Sequence, residues 1–246
     1  MINISASFRV FLHLMIVLAA SRLCAQNLFP IYDARRLPRQ AKPSSTETAL
    51  LHREVRPAAR RVWRNREGCD DQFEILDVTS GAFTRTPAEQ KAFLYNYCRT
   101  ARSYGNYGIA IIEDGRVVAH IVYEGGSDYA IGSLPDINKN GLSEIIIRGG
   151  FSGQGIIEGG VSLIELTASG ITRFGQIETD YSNCDDPFDK NTRNIAYRIY
   201  AKTGMSPTFF RDTYTSNCKD AGKWTRTEEQ TPMRVDKSEI VYRRVK

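Results

Sequence analysis

The stretch Tyr107-Gly-Ile-Ala-Ile-Ile-Glu-Asp-Gly-Arg-Val-Val-Ala-His-Ile-Val-Tyr123 decides the fold class. Two apolar runs flank Asp114-Gly115. An Asp-Gly pair between runs rich in Ile, Val and Tyr is the signal for a β-hairpin with a type I′ turn. The stretch therefore predicts two antiparallel strands, residues 107–112 and 116–123.

Further strand patterns lie on both sides of this hairpin, separated by short turns. They cover residues 72–78, 128–134, 144–148, 161–166 paired with 171–177, 195–201 paired with 208–214, and 239–245 with 224–229 as a partner. Such a series predicts a mainly β protein, with antiparallel meanders or blade-like sheets in one compact domain. About ten strands are too few for a complete propeller, which needs at least four blades of four strands.

One N-terminal α-helix is expected beside these strands. Thr86 has the character of a cap, Pro87 suits the first helical position, and Glu89 reaches back to the cap. The apolar face consists of Phe93, Leu94, Tyr97, Cys98 and Ala101, and Gly105 is the expected stop. A second, short helix is predicted over residues 46–56, with Leu50, Leu51 and Val55 on one side.

The turn after residues 128–134 is rich in oxygen ligands. Asp136, Asn138 and Asn140 alternate at steps of two, Gly141 permits a sharp bend, and Glu144 ends the run. Hard cations such as Ca²⁺ take six to eight oxygen ligands, and we expect these four side chains and the carbonyl of Leu142 to supply them. An EF-hand would place a bidentate Glu at loop position twelve, where this chain has Ile147.

The order of these features resembles one FG-GAP/VCBS repeat, the blade unit of integrin-α-like β-propellers. The resemblance covers about residues 132–166, from Gly132-Ser-Leu-Pro through the Asn/Gly loop to Gly159-Gly-Val-Ser-Leu-Ile-Glu-Leu166. In that family a calcium loop joins two strands of a blade. The resemblance implies bound calcium and a blade-like sheet, but no reaction.

Residues 1–25 are typical of an export signal, because Arg9 precedes an apolar run that is too short to span a membrane. Cleavage is expected after Ala25, with Ser21 as an alternative. A lipoprotein with acylated Cys24 and an uncleaved anchor are the weaker interpretations. The protein is therefore expected to be exported, to the periplasm or out of the cell, with no transmembrane span after signal removal.

Residues 26–66 are expected to form a basic, partly disordered leader ahead of a domain at residues 67–246. Residues 31–66 hold ten Lys and Arg against three acidic residues, whereas residues 67–246 hold 21 against 25. Such a leader is suited to weak contact with an anionic surface. The leader is not expected to bind nucleic acid, because few aromatic side chains for base stacking interrupt the charges.

The search for catalytic residues favours a non-catalytic protein. No nucleophile elbow of the G-x-S-x-G type occurs, and a lone strand histidine such as His120 is more often a packed side chain than a general base. We therefore expect a calcium-binding module that binds a protein or glycan, or serves structurally. The alternative is a small extracytoplasmic hydrolase that uses carboxylates near the calcium loop.

The cysteines generate a test of the export hypothesis. Removal of the signal leaves Cys69, Cys98, Cys184 and Cys218, and an even number in an exported chain predicts two disulfides. Three pairings are possible, and the sequence-local one, Cys69–Cys98 with Cys184–Cys218, is favoured. The exported protein should begin near Gln26 and contain no free thiol in a non-reducing assay. Two or more titratable thiols would contradict the two-disulfide prediction.

Overall fold

The fold is taken from a computed structural model of the chain. The structure describes residues 28–36, 39–66, 69, 71–101, 104–167, 170–220, 222–236 and 240–245. The predicted signal peptide, residues 1–25, lies outside the described residues.

Thirteen strands in the described part of the chain form two antiparallel sheets. The larger sheet consists of β1 (Leu28–Asp33), β6 (Ala130–Leu134), β7 (Glu144–Gly153), β8 (Ile156–Leu166), β9 (Ile171–Ser182), β10 (Arg193–Lys202), β11 (Thr208–Asn217) and β12 (Thr225–Met233). The smaller sheet consists of β2 (Glu74–Gly81), β3 (Gln90–Ala101), β4 (Tyr104–Glu113), β5 (Arg116–Gly125) and β13 (Arg243–Arg244).

The larger sheet runs β12-β11-β10-β9-β8-β7-β6, and β1 pairs with β10 beside this path. It curls into a half-barrel. The smaller sheet runs β13-β5-β4-β3-β2. Consecutive strands are neighbours in most of both sheets, which is the arrangement of a meander. The prediction of a mainly β, antiparallel fold that is not a complete propeller is confirmed.

The hairpin that decides the fold class is present as predicted. Strands β4 and β5 pair from Gly105↔Gly125 to Glu113↔Arg116. Asp114 and Gly115 have φ angles of 48° and 72°, so both central residues have the positive φ that a type I′ turn requires. The predicted pairings of residues 161–166 with 171–177 and of 195–201 with 208–214 are also present, as β8–β9 and β10–β11.

The helix predicted from Thr86 to Gly105 is wrong, because this segment forms strand β3. The strand is buried on both faces: Ala92 and Leu94 belong to one core, and Phe93 and Tyr95 belong to another. A strand buried on both sides shows a continuous apolar run instead of alternation, and such a run also satisfies the helical spacing. Gln90 anchors its start by accepting the backbone amides of residues 83 and 84.

The helical segment lies earlier in the chain, where the short helix over residues 46–56 is predicted. Helix α1 (Ser45–Leu50) continues through a π-helical turn (Leu51–Val55) into helix α2 (Arg56–Trp63). Ser44 is its N-cap and forms a capping box with Glu47. In the part of the chain that the structure describes, no helix is long and apolar enough to cross a membrane.

Strand β1 and the helical segment are packed parts of the fold, and both lie in the stretch where the charge pattern predicts a leader. The reason is an apolar stripe on the helix, Leu50, Leu51, Val55, Ala59 and Trp63, which packs on one face of the smaller sheet. Of the basic side chains on the helical segment, Arg53, Arg60 and Arg61 are exposed and Arg56 is partly exposed.

The predicted last strand also has a different partner. Strand β13 pairs with β5, and β12 pairs with β11, so residues 224–229 do not pair with residues 239–245 as predicted. Residues 237–239 lie outside the described part. The chain end is thereby brought back to the smaller sheet.

Three hydrophobic cores follow from this arrangement. One fills the space between the helical segment and the smaller sheet, one lies between the two sheets, and one fills the curl of the larger sheet. Both predicted disulfides are present. Cys69–Cys98 ties the segment after α2 to β3, and Cys184–Cys218 ties the β9–β10 loop to the end of β11.

A buried carboxylate joins the two sheets. Asp77 on β2 is 3% exposed and accepts three backbone amides. Its Oδ1 accepts from Ala41 at 2.7 Å and from Val78 at 2.8 Å, and its Oδ2 accepts from Ile131 on β6 at 2.9 Å. One side chain thus holds β2, β6 and the segment before α1 together.

Asp77→Asn should destabilise the protein. The amide nitrogen of Asn donates and cannot accept, so at least one of the three backbone amides loses its partner in the interior. The free energy of unfolding should fall by about 1–3 kcal/mol in chemical denaturation. Asp114→Asn, the same exchange in an exposed turn that accepts Asn, should stay within about 0.5 kcal/mol of the parent. Equal effects of the two exchanges would contradict the role of Asp77.

Candidate calcium loop

The predicted calcium loop connects β6 to β7 and is closed by a strand pair at its base. Leu134 at the end of β6 is the register partner of Glu144 at the start of β7. Within the loop, Ile137 is fully buried in the core of the larger sheet. The loop is therefore attached to the interior at its base and at one internal residue.

The alternating side-chain oxygens of the loop turn back toward its own backbone. Asp136 accepts the amides of Asn140 at 2.9 Å and Gly141 at 2.7 Å. Asn138 Oδ1 accepts the Asn140 amide at 3.1 Å, and Asn140 Oδ1 accepts the Leu142 amide at 2.9 Å. Gly141 has a φ of 90°, a conformation that glycine adopts without strain. Asp136, Asn138 and Asn140 lie two positions apart, and each accepts a backbone amide further along the chain. The loop therefore winds around their side-chain oxygens, which lie on the inside of its bends.

Glu144 lies under this loop as a fully buried carboxylate. Its two oxygens accept the Ile137 amide at 3.2 and 3.0 Å, and Oε1 accepts the Asn138 amide at 3.3 Å. Burial raises the pKa of Glu144 to about 7, although these amides oppose the shift, and the negative charge of Glu165 adds to it. Glu144 is therefore an interior acid that a positive charge would stabilise.

The structure adds one residue that the sequence analysis does not predict. Glu165 on β8 is 1% exposed, and its Oε2 accepts the side-chain amides of Asn138 at 2.8 Å and Asn140 at 2.7 Å. In the sequence, a carboxylate within the apolar run of residues 161–166 indicates a buried acidic group that needs polar partners. Its partners lie 25 and 27 positions away, so only the folded chain identifies them.

The site thus brings together Asp136, Asn138, Asn140, Glu144 and Glu165. Among the described residues, their hydrogen bonds come from neutral amide groups and not from Lys or Arg. Carboxylate and amide oxygens are the donor set of a hard cation, and the predicted Leu142 carbonyl belongs to the same loop. Within the described ranges, no three Asp, Glu, His or Cys side chains lie close enough to form a metal-binding group by themselves. Any cation here would also depend on amide and carbonyl oxygens.

The lone strand histidine lies apart from this loop. His120 is 7% exposed, and its Nε2 lies 2.6 Å from the hydroxyl oxygen of Tyr95 in the core under the helix. Burial lowers the pKa of His120 to about 4, and the charge of Arg61 acts in the same direction. His120 is therefore neutral at physiological pH and packed in the interior, as a structural histidine would be.

No family model matches the chain, and no curated protein or solved structure is significantly similar to it. The geometry of the site and the chemistry of its side chains therefore carry the functional argument.

Glu165 should order the loop even without a metal ion. In a chelator-containing buffer, Glu165→Leu should raise the hydrogen-exchange rates of the Asn140 and Leu142 backbone amides by about tenfold or more, because the side-chain amides of both Asn residues lose a charged acceptor. The control is Glu158→Ala, which removes an exposed carboxylate from the same strand. Unchanged exchange in Glu165→Leu, or an equal increase in the control, would refute this role.

Proposed function

We propose that the protein is an exported, disulfide-bonded, calcium-binding β domain that acts as a non-catalytic binding or structural module at the cell envelope or outside the cell. The observation that carries the proposal is the contact of buried Glu165 with Asn138 and Asn140. It adds a third carboxylate to a loop whose side chains already have the ligand types and spacing that calcium favours.

The donor chemistry supports calcium over softer metals. Asp136, Asn138, Asn140, Glu144 and Glu165 offer only oxygen atoms, as the Leu142 carbonyl does, whereas zinc and copper favour sulfur and nitrogen. The order β6, loop, β7, β8 agrees with the strand–loop–strand order that the FG-GAP/VCBS resemblance implies. A bound calcium ion would offset the repulsion between the buried carboxylates.

Two features support export. Disulfides persist in oxidising compartments such as the periplasm and the extracellular space, and this domain has two of them. The apolar run near Arg9 is the corresponding targeting signal in the sequence.

A structural role for calcium is favoured over a catalytic one. The loop residue Ile137 is part of the core, so order in the loop is coupled to packing of the larger sheet. The carboxylates accept hydrogen bonds from the amides that shape the loop, and His120 is buried elsewhere. The partner of such a module would be a protein or a glycan.

Calcium should bind with a dissociation constant on the order of 10⁻⁴–10⁻³ M, a range typical of extracellular modules. At free calcium tenfold above this constant, the folded state gains about 1.4 kcal/mol, so chelation should lower the melting temperature by a few degrees without unfolding the domain. Calorimetric titration measures the first effect and a thermal scan the second.

Asp136→Ala should remove both effects, and Asp114→Asn, an exchange in the β4–β5 turn, should retain both. No heat from the parent protein at millimolar calcium would refute the proposal. A hydrolytic activity that chelation abolishes at an unchanged melting temperature would support the catalytic alternative instead.

A further inference from the structure

A cavity of about 290 Å³ opens between β1, β6 and β7, on the side of the larger sheet that carries its core. Most of its wall is apolar, formed by Ile31, Ala130, Ile131, Gly132, Leu134 and Ile146. None of the five predicted calcium ligands lines it. Concave, mostly apolar pockets with a few polar groups are typical of small-molecule sites.

The polar part of this cavity contains an incompletely paired guanidinium group. Arg148 on β7 follows three consecutive Ile residues and is only 5% exposed. Its Nη2 donates to Asp180 at 3.2 Å, but its Nε and Nη1 atoms are buried and have no hydrogen-bond partner among the described residues. A buried charged donor without a partner is costly, so the site favours an acceptor that reaches these atoms.

Two tyrosine rings fix the position of this guanidinium group. The carbon Cζ of Arg148 lies 5.2 Å from the ring centroid of Tyr32 on β1 and 5.4 Å from that of Tyr129, both within cation–π range. The hydroxyl of Tyr32 is also buried and lies near Arg148, but the contact between them lacks the geometry of a hydrogen bond. Tyr32 and Arg148 line the same cavity, and three of their buried N–H or O–H atoms have no hydrogen-bond partner among the described residues.

We propose that this cavity binds a small apolar monocarboxylate, whose carboxylate accepts from Arg148 and Tyr32 and whose hydrocarbon part lies along the isoleucine-rich wall. Arginine binds planar carboxylates through more than one N–H group, and a tyrosine hydroxyl donates readily to the same oxygens. This inference goes beyond the proposed calcium function and does not depend on it.

The charges around the cavity favour a monoanion over phosphate or another multivalent anion. Asp180 already offsets part of the charge of Arg148. Asp33 at the cavity wall is paired with Arg35 at 2.9 and 2.7 Å, and Arg36 remains at the wall as a further positive group. The resulting positive charge is small and lies next to apolar surface, which matches a carboxylate on a hydrocarbon body.

The test is calorimetric titration of the full, disulfide-bonded protein with hexanoate. Hexanol and hexylamine have the same chain without the carboxylate, and inorganic phosphate has the charge without the chain. Hexanoate should bind, and hexanol should bind at least about tenfold more weakly, because hydrogen bonds to a charged group are lost. Hexylamine and phosphate should give no binding heat.

Two variants locate the binding site. Tyr32→Phe removes only the hydroxyl and should weaken hexanoate binding about tenfold or more. Arg148→Lys keeps the charge opposite Asp180 but removes the planar fork, and it should weaken binding as well. Tyr242→Phe is the matched control, because the Tyr242 hydroxyl is also buried but does not line this cavity, and binding should be unchanged.

Three outcomes would overturn the proposal: no hexanoate binding at millimolar concentration, equal binding of hexanol, or equal effects of Tyr32→Phe and Tyr242→Phe. The titrations are run with calcium and with chelator. Calcium binding without hexanoate binding refutes the cavity proposal alone, and hexanoate binding without calcium binding refutes the calcium proposal alone.

Discussion

The carboxylate of Asp77 is the interaction on which the arrangement of the two sheets depends. It accepts amides from β2 itself, from β6 in the other sheet, and from the segment that leads into the helices. An ionised carboxylate has only acceptors, so it can satisfy three converging N–H groups, among them the buried amide of Ile131. Since Asp77 positions β6, it also positions the candidate calcium loop that follows β6 and the cavity that β6 lines.

The two candidate sites both involve strands β6 and β7, but their buried charged groups have opposite sign. At the loop, Glu144 and Glu165 are buried acids that accept hydrogen bonds from neutral amides, so a cation would compensate them. At the cavity, Arg148 and Tyr32 hold unused donors, so an anion would compensate them. In both cases a charged side chain lies on a strand of apolar residues, and burial makes its interaction with an ion stronger than it would be in water.

Local patterns predict local structure well in this chain, and they fail where burial is decided by distant segments. The Asp114-Gly115 turn follows from its own residues, because few residue types adopt its backbone conformation. Strand β3 cannot be predicted from its own residues in this way, because its apolar pattern fits a strand buried on both faces and also fits a helix. The choice is made by the helical segment on one face and by the larger sheet on the other.

The sequence by itself determined the antiparallel β class, the polar turn of Asp136 to Glu144 and the expectation of two disulfides, because each depends on residues that lie close together in the chain or on the oxidising setting that the cysteines imply. Only the tertiary structure decided that the helical segment packs on the smaller sheet, that Glu165 meets Asn138 and Asn140, and that Arg148 shares a cavity with Tyr32. These contacts join residues more than 20 positions apart, and their partners are selected by strand order and packing, which no local spacing encodes.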